Sequence, residues 1–326
     1  MKKVRVGIIG TGMIGKIFAA ESKLTDNCVV VAITSRSYET GKAFADTYGI
    51  EKVYTQYMDM VNDPDIDAIY IGTPHPKHKE NTLAALNAKK AVLCEKPFAM
   101  SYSESLEMIE CARSNQVLLM EAMWTRFLPA IKKMKSLIAD GAIGDILFMK
   151  ADLGFRVPDE YPLTGRLLNP ELGGGALLDV GIYPISMASH VMGKMPVDMA
   201  CQKMTAVTGV DAMSTYSFKY DDDSLAVLYS AVRVNTESSL FISGTKGSIQ
   251  VPSFYCASEV TVTTEDGTKE TFKFPHKEAG YDYEISAFCE TYLKGDLENA
   301  LMPHNETLGI MKTMDRIQTC LNNVTQ

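Results

Sequence analysis

The sequence predicts an α/β protein in two parts. A doubly wound parallel sheet occupies roughly the first 120 residues, and an α/β region with a mostly antiparallel sheet follows. Strand and helix signals alternate at βαβ spacing through the first part. Three glycines stand between the first strand and the first helix. From Val197 to Phe274, strand follows strand with little helix between.

The elements follow in order. Val4 to Ile9 (VRVGII) reads as a buried strand, the glycine run Gly10-Thr11-Gly12-Met13-Ile14-Gly15 as a turn, and Lys16 to Ser22 as helix. Cys28 to Thr34 is a second strand and Tyr38 to Tyr48 an amphipathic helix. A short strand at Val53-Tyr54 and a short helix over Met58 to Val61 come next. Ala68 to Thr73 is the fourth strand, followed by a helix from about Pro76 to Ala88. Ala91 to Cys94 is the fifth strand, Tyr102 to Ser114 a helix, and Val117 to Met120 the sixth strand. Then the rhythm changes. Phe127 to Ala139 is helical, Ile146 to Gly154 a strand, and Ala176 to Val191 a helix after Gly173-Gly174-Gly175. Turns at Asp221-Asp222-Asp223 and Gly244 to Gly247 divide the later strands. Helices close the chain, near Tyr281 to Leu293 and Glu306 to Leu321. One boundary is expected near residue 122, giving domains 1–122 and 123–326.

Composition narrows the function classes. The 326 residues carry 32 Lys plus Arg against 40 Asp plus Glu, a net charge of −8, which disfavours nucleic acid or an anionic membrane as main partner. No apolar run approaches the roughly 20 residues of a membrane span. Seven scattered cysteines without a CxxC pair suit reduced thiols. Met1-Lys2-Lys3 before an apolar stretch imitates a secretory signal, but Arg5 and four glycines interrupt it. A cytoplasmic protein is expected.

A glycine turn in this setting suits a dinucleotide. The first glycine permits the turn, the second admits pyrophosphate to the backbone, and the third packs helix against strand. The helix N-terminus adds free N–H groups and a positive dipole end. The second strand then speaks to the cofactor: it ends Thr34-Ser35-Arg36-Ser37, with no carboxylate before Glu39. A carboxylate would accept from a ribose 2′-hydroxyl and repel a 2′-phosphate, whereas Ser35, Ser37 and Arg36 suit the phosphate. The expectation is NADP, with NAD as the alternative.

Further groups sit at strand ends, which face the ligand crevice in such sheets. Thr73-Pro74-His75-Pro76-Lys77-His78 follows the fourth strand and is expected to line the cofactor. His75 and His78 lack further ligands for a metal, and none is expected. Glu95-Lys96-Pro97 ends the fifth strand, where Lys96 can hold a substrate hydroxyl and Glu95 can orient its ammonium. Asp179 and Tyr183, four apart after the glycine turn, share a helical face. Tyr becomes a base only beside a cation.

Together, GTGMIG, Glu95-Lys96-Pro97 and Asp179-x-x-x-Tyr183 resemble the Gfo/Idh/MocA oxidoreductase family across essentially the whole chain. Glu121 to Pro129, Ala151 to Phe155 and Gly173 to Tyr183 resemble its branch of dimeric dihydrodiol and NADP-dependent D-xylose dehydrogenases. The resemblance implies a Rossmann domain and then an α/β domain with an open, mostly antiparallel sheet, whose outer face pairs two copies. It implies that Lys96, Asp179 and Tyr183 meet at the nicotinamide as the catalytic set, and places Trp124 and Arg126 beside cofactor or substrate. His75 stands where the family commonly has Asn.

The implied reaction moves a hydride between the nicotinamide and a secondary or hemiacetal hydroxyl of a sugar, sugar-like polyol or dihydrodiol. Two alternatives are a non-catalytic cofactor-binding regulator, which has no need of the Lys96 and Tyr183 pair that this chain retains, and an NADPH-consuming keto-sugar or imine reductase, which shares the residues and differs in direction. A loop from Arg156 to Arg166, with Asp159, Glu160, Tyr161 and Thr164, is expected to cover the substrate.

Overall fold

A computed structural model describes residues 2–323. The first compact unit takes the chain through Trp124 together with Glu278–Leu308; the second takes Thr125–Lys277 and the chain from Gly309.

Six parallel strands form the sheet of the first unit: β1 (Val4–Ile9), β2 (Cys28–Thr34), β3 (Lys52–Tyr54), β4 (Ala68–Ile71), β5 (Ala91–Glu95) and β6 (Leu119–Ala122). Their order is β3-β2-β1-β4-β5-β6. Helices α1 (Met13–Glu21), α2 (Tyr38–Tyr48), α3 (Tyr57–Val61), α4 (His78–Asn87) and α5 (Tyr102–Asn115) make the crossovers. β4 and β5 are buried at every position, as strands covered on both faces must be. The order reverses direction between β1 and β4, which opens a crevice at their carboxyl ends.

The second unit holds α6 (Pro129–Ala139), α7 (Ile182–Met192) and eight strands. These are β7 (Ile146–Gly154), β8 (Asp198–Thr205), β9 (Asp211–Lys219), β10 (Leu225–Ala231), β11 (Leu240–Gly244), β12 (Gly247–Val251), β13 (Glu259–Thr264) and β14 (Lys269–Lys273). They run β14-β13-β12-β11-β7-β10-β9-β8, antiparallel except where β7 meets β10. Alternating burial along β9 and β10 marks one inner face, on which α7 packs; Leu147, Leu225 and Val227 point out and are exposed.

One expectation needs correcting. A single cut near residue 122 gave everything beyond it to the second domain, yet Glu278–Leu308, with α8 (Asp282–Lys294) and the first turn of α9 (His304–Asn323), belongs to the first unit. Glu21, buried at the end of α1, is one reason. Its carboxylate accepts the backbone N–H groups of Ala279, Gly280, Tyr281 and Asp282 at 2.7–3.2 Å, which satisfies and charge-complements the α8 N-terminus. His304 Nε2 lies 3.0 Å from Leu119 O, and Thr307 donates to Glu121 at 2.9 Å. Hydrophobic periodicity carries no trace of such polar latches.

Candidate active site

In the first unit the site begins at the glycine turn. Gly10 has φ +117°, and a Cβ there would lie 2.6 Å from Gly72 O at the end of β4. A Cβ on Gly15 would lie 2.2 Å from Gly10 O, whereas one on Gly12 would meet nothing within 4 Å. Two glycines thus close the turn, and the middle one faces open space. Gly12 caps α1 without a side chain, and the first turn of α1 contains no acidic residue. Thr11, Met13 and Ile14 complete this turn, with Met13 exposed. An exposed, uncapped helix N-terminus above a bare glycine fits a pyrophosphate.

At the end of β2, Ser35 is buried and Arg36 is exposed, with no ion pair among the described residues. Ser37 is committed elsewhere: its hydroxyl caps α2 by accepting the Thr40 N–H at 3.2 Å.

His78 departs from its expected role. Its side chain is fully buried, with Nδ1 2.9 Å from Pro97 O and Nε2 2.9 Å from Thr73 O. A neutral imidazole has one N–H and donates to one of these carbonyls, its other nitrogen lying against the second, so the ring bridges the loop after β4 and the loop after β5. Burial holds its pKa below the usual histidine value. His75 and its flanking prolines form a short 3-10 turn ahead of α4, and Thr73 Oγ1 accepts from Asn81 at 3.2 Å. Pro74 is exposed and His75 half-buried, so these two remain accessible.

β5 delivers Glu95 and then Lys96. Glu95 is buried; its Oε1 accepts the Tyr70 hydroxyl at 2.6 Å and its Oε2 the Lys96 backbone N–H at 3.2 Å. Tyr70 stacks on Phe18 of α1 with centroids 3.9 Å apart, tying this carboxylate to the helix of the glycine turn. Burial pushes the Glu95 pKa from 4.5 up to about 7, against the pull of the Tyr70 hydroxyl and the Lys96 charge. Glu284 of α8, also buried, is raised well above the carboxylate range by burial and by the charges of Glu95 and Glu121.

A carboxyl whose pKa rises on folding contributes stability fully below its unfolded value and loses it as pH rises through the folded value. This contribution is therefore lost between pH 4.5 and about 7. Glu95→Gln is expected to flatten that part of the stability curve, measured by thermal melting from about pH 4.5 to 8. An unchanged slope would place the titration elsewhere.

Trp124, also in the first unit, stacks on Tyr281 with centroids 4.2 Å apart. Neither Tyr281 nor Glu284 stood out in the sequence, because each lies in an ordinary amphipathic helix start.

The second unit carries the other expected residues. The helix expected from Ala176 is interrupted: Leu177–Gly181 is a π-helical turn, and α-helix proper begins at Ile182. Asp179 lies in the π turn and Tyr183 in the first turn of α7, both buried. Such insertions are frequent at functional sites. Asp179 Oδ1 accepts from Arg166 Nη1 at 2.7 Å, so Arg166 is no free loop charge; Arg156 pairs instead with Asp159, at 2.9 and 3.0 Å. The Tyr183 ring meets Tyr255 edge-on, with centroids 6.3 Å apart. Burial raises the Tyr255 pKa to about 12.

Arg126, expected beside cofactor or substrate, is only 2% exposed. Its Nε and Nη2 donate to Ser186 Oγ at 3.0 Å and Ser186 O at 2.7 Å, bracing α7 one turn beyond Tyr183.

Comparison with known proteins gives concordant results. The model of the Gfo/Idh/MocA family described as "Oxidoreductase family, NAD-binding Rossmann fold" matches residues 4–123, and that of the "GFO/IDH/MocA C-terminal domain" matches residues 131–250. A trans-1,2-dihydrobenzene-1,2-diol dehydrogenase of Xenopus laevis is 35% identical over 320 residues, 95% of each chain. The human enzyme of that name is 32% identical over 333 residues, 98% of this chain and 97% of its own. In fold, the chain is similar to an aldose-aldose oxidoreductase from Caulobacter crescentus, with TM-score 0.89 and 23% identity over 99% of this chain and 98% of that one. No helix among the described residues is long and apolar enough to cross a membrane.

Proposed function

The chain belongs to the Gfo/Idh/MocA oxidoreductase family, and from that premise we propose that it is an NADP-dependent dehydrogenase. Its substrate is a secondary or hemiacetal hydroxyl of a sugar, sugar-like polyol or dihydrodiol. One observation carries the reading: the sheet that ends β1 in an open glycine cradle also ends β5 in Lys96, at the same carboxyl edge. Support for the substrate class comes from relatives named for a dihydrodiol and a fold neighbour named for aldoses.

Gly10 to Gly15 and the α1 N-terminus hold the pyrophosphate, and Thr73, Pro74, His75 and Trp124 flank the rest of the cofactor. Bound nicotinamide supplies the hydride acceptor. Tyr183 takes the hydroxyl proton. Lys96 stabilises the negative charge that grows on the substrate oxygen or on the phenolate, and Asp179 orients the polar groups. Arg166 fixes the Asp179 carboxylate in turn. The test is nicotinamide absorbance with NADP and with NAD, over a panel of sugars, sugar alcohols and dihydrodiols. No reduction with any of them sinks the proposal.

The preference for NADP rests on Arg36, exposed and unclaimed by any carboxylate at the end of β2. Ser35 stands beside it, while Ser37 is spent on its cap. Arg36→Asp is expected to raise the KM for NADP at least tenfold, about 1.4 kcal/mol, and leave that for NAD nearly unchanged. Equal values for parent and variant would remove Arg36 from the site.

The reading extends to assembly as a homodimer through the uncovered face of the eight-stranded sheet. Exposed Leu147, Leu225 and Val227 there form the apolar centre such a contact needs.

A further inference from the structure

The π-helical turn Leu177–Gly181 rests on two anchors, both on the inner face of the sheet beneath it. At its start, Asp211 of β9 reaches up: Oδ2 accepts the Leu177 backbone N–H at 2.8 Å and the Ser214 hydroxyl at 2.7 Å. Gly175 makes room for that reach, since a Cβ there would lie 2.2 Å from Asp211 Oδ1. At its end, Gly181 lies against Tyr216 and Ser230, where a Cβ would stand 2.9 Å from Tyr216 Oη and 3.0 Å from Ser230 Oγ. Those two hydroxyls are hydrogen-bonded at 2.7 Å. Ser214 and Ser230 face each other across the β9–β10 register, and both are fully buried.

A π turn wraps one extra residue into the helix and is uncommon without such support. Its first N–H groups have no partner inside the helix, and a carboxylate there answers both the missing bond and the positive dipole end. Asp211 lies 32 residues after Asp179 in sequence and touches no reacting group; it acts through the backbone.

We propose that Asp211 is a positioning residue for the reaction. Its carboxylate pins the first N–H of the π turn, and so fixes where Asp179 and the following Tyr183 stand. The inference rests on the reading of Tyr183 as the proton acceptor and adds to it.

Hydrogen–deuterium exchange over residues 175–183 of the full chain tests the pin directly, whatever the substrate. Asp211→Ala is expected to speed exchange there by at least tenfold while the β1–β5 segments exchange as before. Asp211→Asn, which keeps an acceptor oxygen, restores protection to within about threefold of the parent. With NADP and trans-1,2-dihydrobenzene-1,2-diol, Asp211→Ala lowers kcat tenfold to a hundredfold, on the order expected for a misplaced reacting group. The KM for NADP stays within about twofold.

Should Asp211→Ala not fold, Asp211→Glu keeps the charge, displaces the oxygens by one methylene and is expected to show the same kcat loss. Unchanged exchange in Asp211→Ala, or Asn failing to restore it, overturns the proposal. So does normal kcat with a loosened turn. Tyr183→Phe is assayed in parallel: if it turns over normally, the proton-transfer reading falls, while the exchange data still decide whether Asp211 holds the turn.

Discussion

Lys96→Ala and Tyr183→Phe are each expected to lower turnover by about two to four orders of magnitude, the range that a positioned acid–base group supplies. The dissociation constant for NADP is expected to stay within about threefold. The asymmetry follows from where the two groups act. Lys96 leaves the sheet at the end of β5, after a carboxylate already satisfied by Tyr70 and by a backbone N–H. In the proposed reaction its ammonium serves the charge that appears on oxygen. Phenylalanine at position 183 keeps the ring, including its edge contact with Tyr255, and deletes only the hydroxyl. Pre-steady-state turnover with a fluorescence titration of NADP separates chemistry from binding. Near-normal turnover in both variants, or parallel loss of NADP binding, rejects the assignment.

Gly10→Ala is expected to abolish saturable NADP binding and to destabilise the protein by about 2–5 kcal/mol. Two costs combine. The backbone at φ +117° is one that side-chain-bearing residues rarely adopt, and the new methyl would sit 2.6 Å from Gly72 O, a main-chain atom of the neighbouring strand end that cannot swing away. Relief requires β1 and β4 to part at their carboxyl ends, at the proposed cofactor cradle. Calorimetric melting and NADP titration read the two effects. Retained binding at parental affinity would show that the turn tolerates a side chain and that its glycines are not a cradle. Gly12→Ala offers the contrast: its Cβ meets no protein atom, so stability is expected to hold while NADP weakens.

The fold was legible wherever burial sets the residue pattern. β2, α2 and β7 have the bounds their composition predicts, because apolar runs and a serine N-cap state them directly. β6 starts two residues later than its apolar run. Gln116 takes a left-handed helix cap at φ 54°, and the Val117 N–H bonds back to Ala112, so the first apolar residues seal the end of α5. The π turn was not legible, since inserting one residue in a helix leaves composition and spacing nearly intact. Polar braces were harder still. His78 and Arg126 look like functional groups in a sequence; in the fold both are buried, His78 between two backbone carbonyls and Arg126 on Ser186. Asp211 and Glu21 were invisible for the opposite reason, as isolated acids whose partners are backbone N–H groups far along the chain.

The Glu21 latch has a consequence for synthesis. Its last partner, the Asp282 N–H, lies 261 residues downstream. As the chain emerges, the nucleotide-binding sheet can gather early, but it carries a buried carboxylate without acceptable partners until most of the protein has been made. Most of the second unit, Thr125–Lys277, is made between those partners, and the rest of it follows from Gly309. The first unit is thus completed only after Lys277 has been made, and the end of α1 gains its four backbone partners no sooner than residue 282.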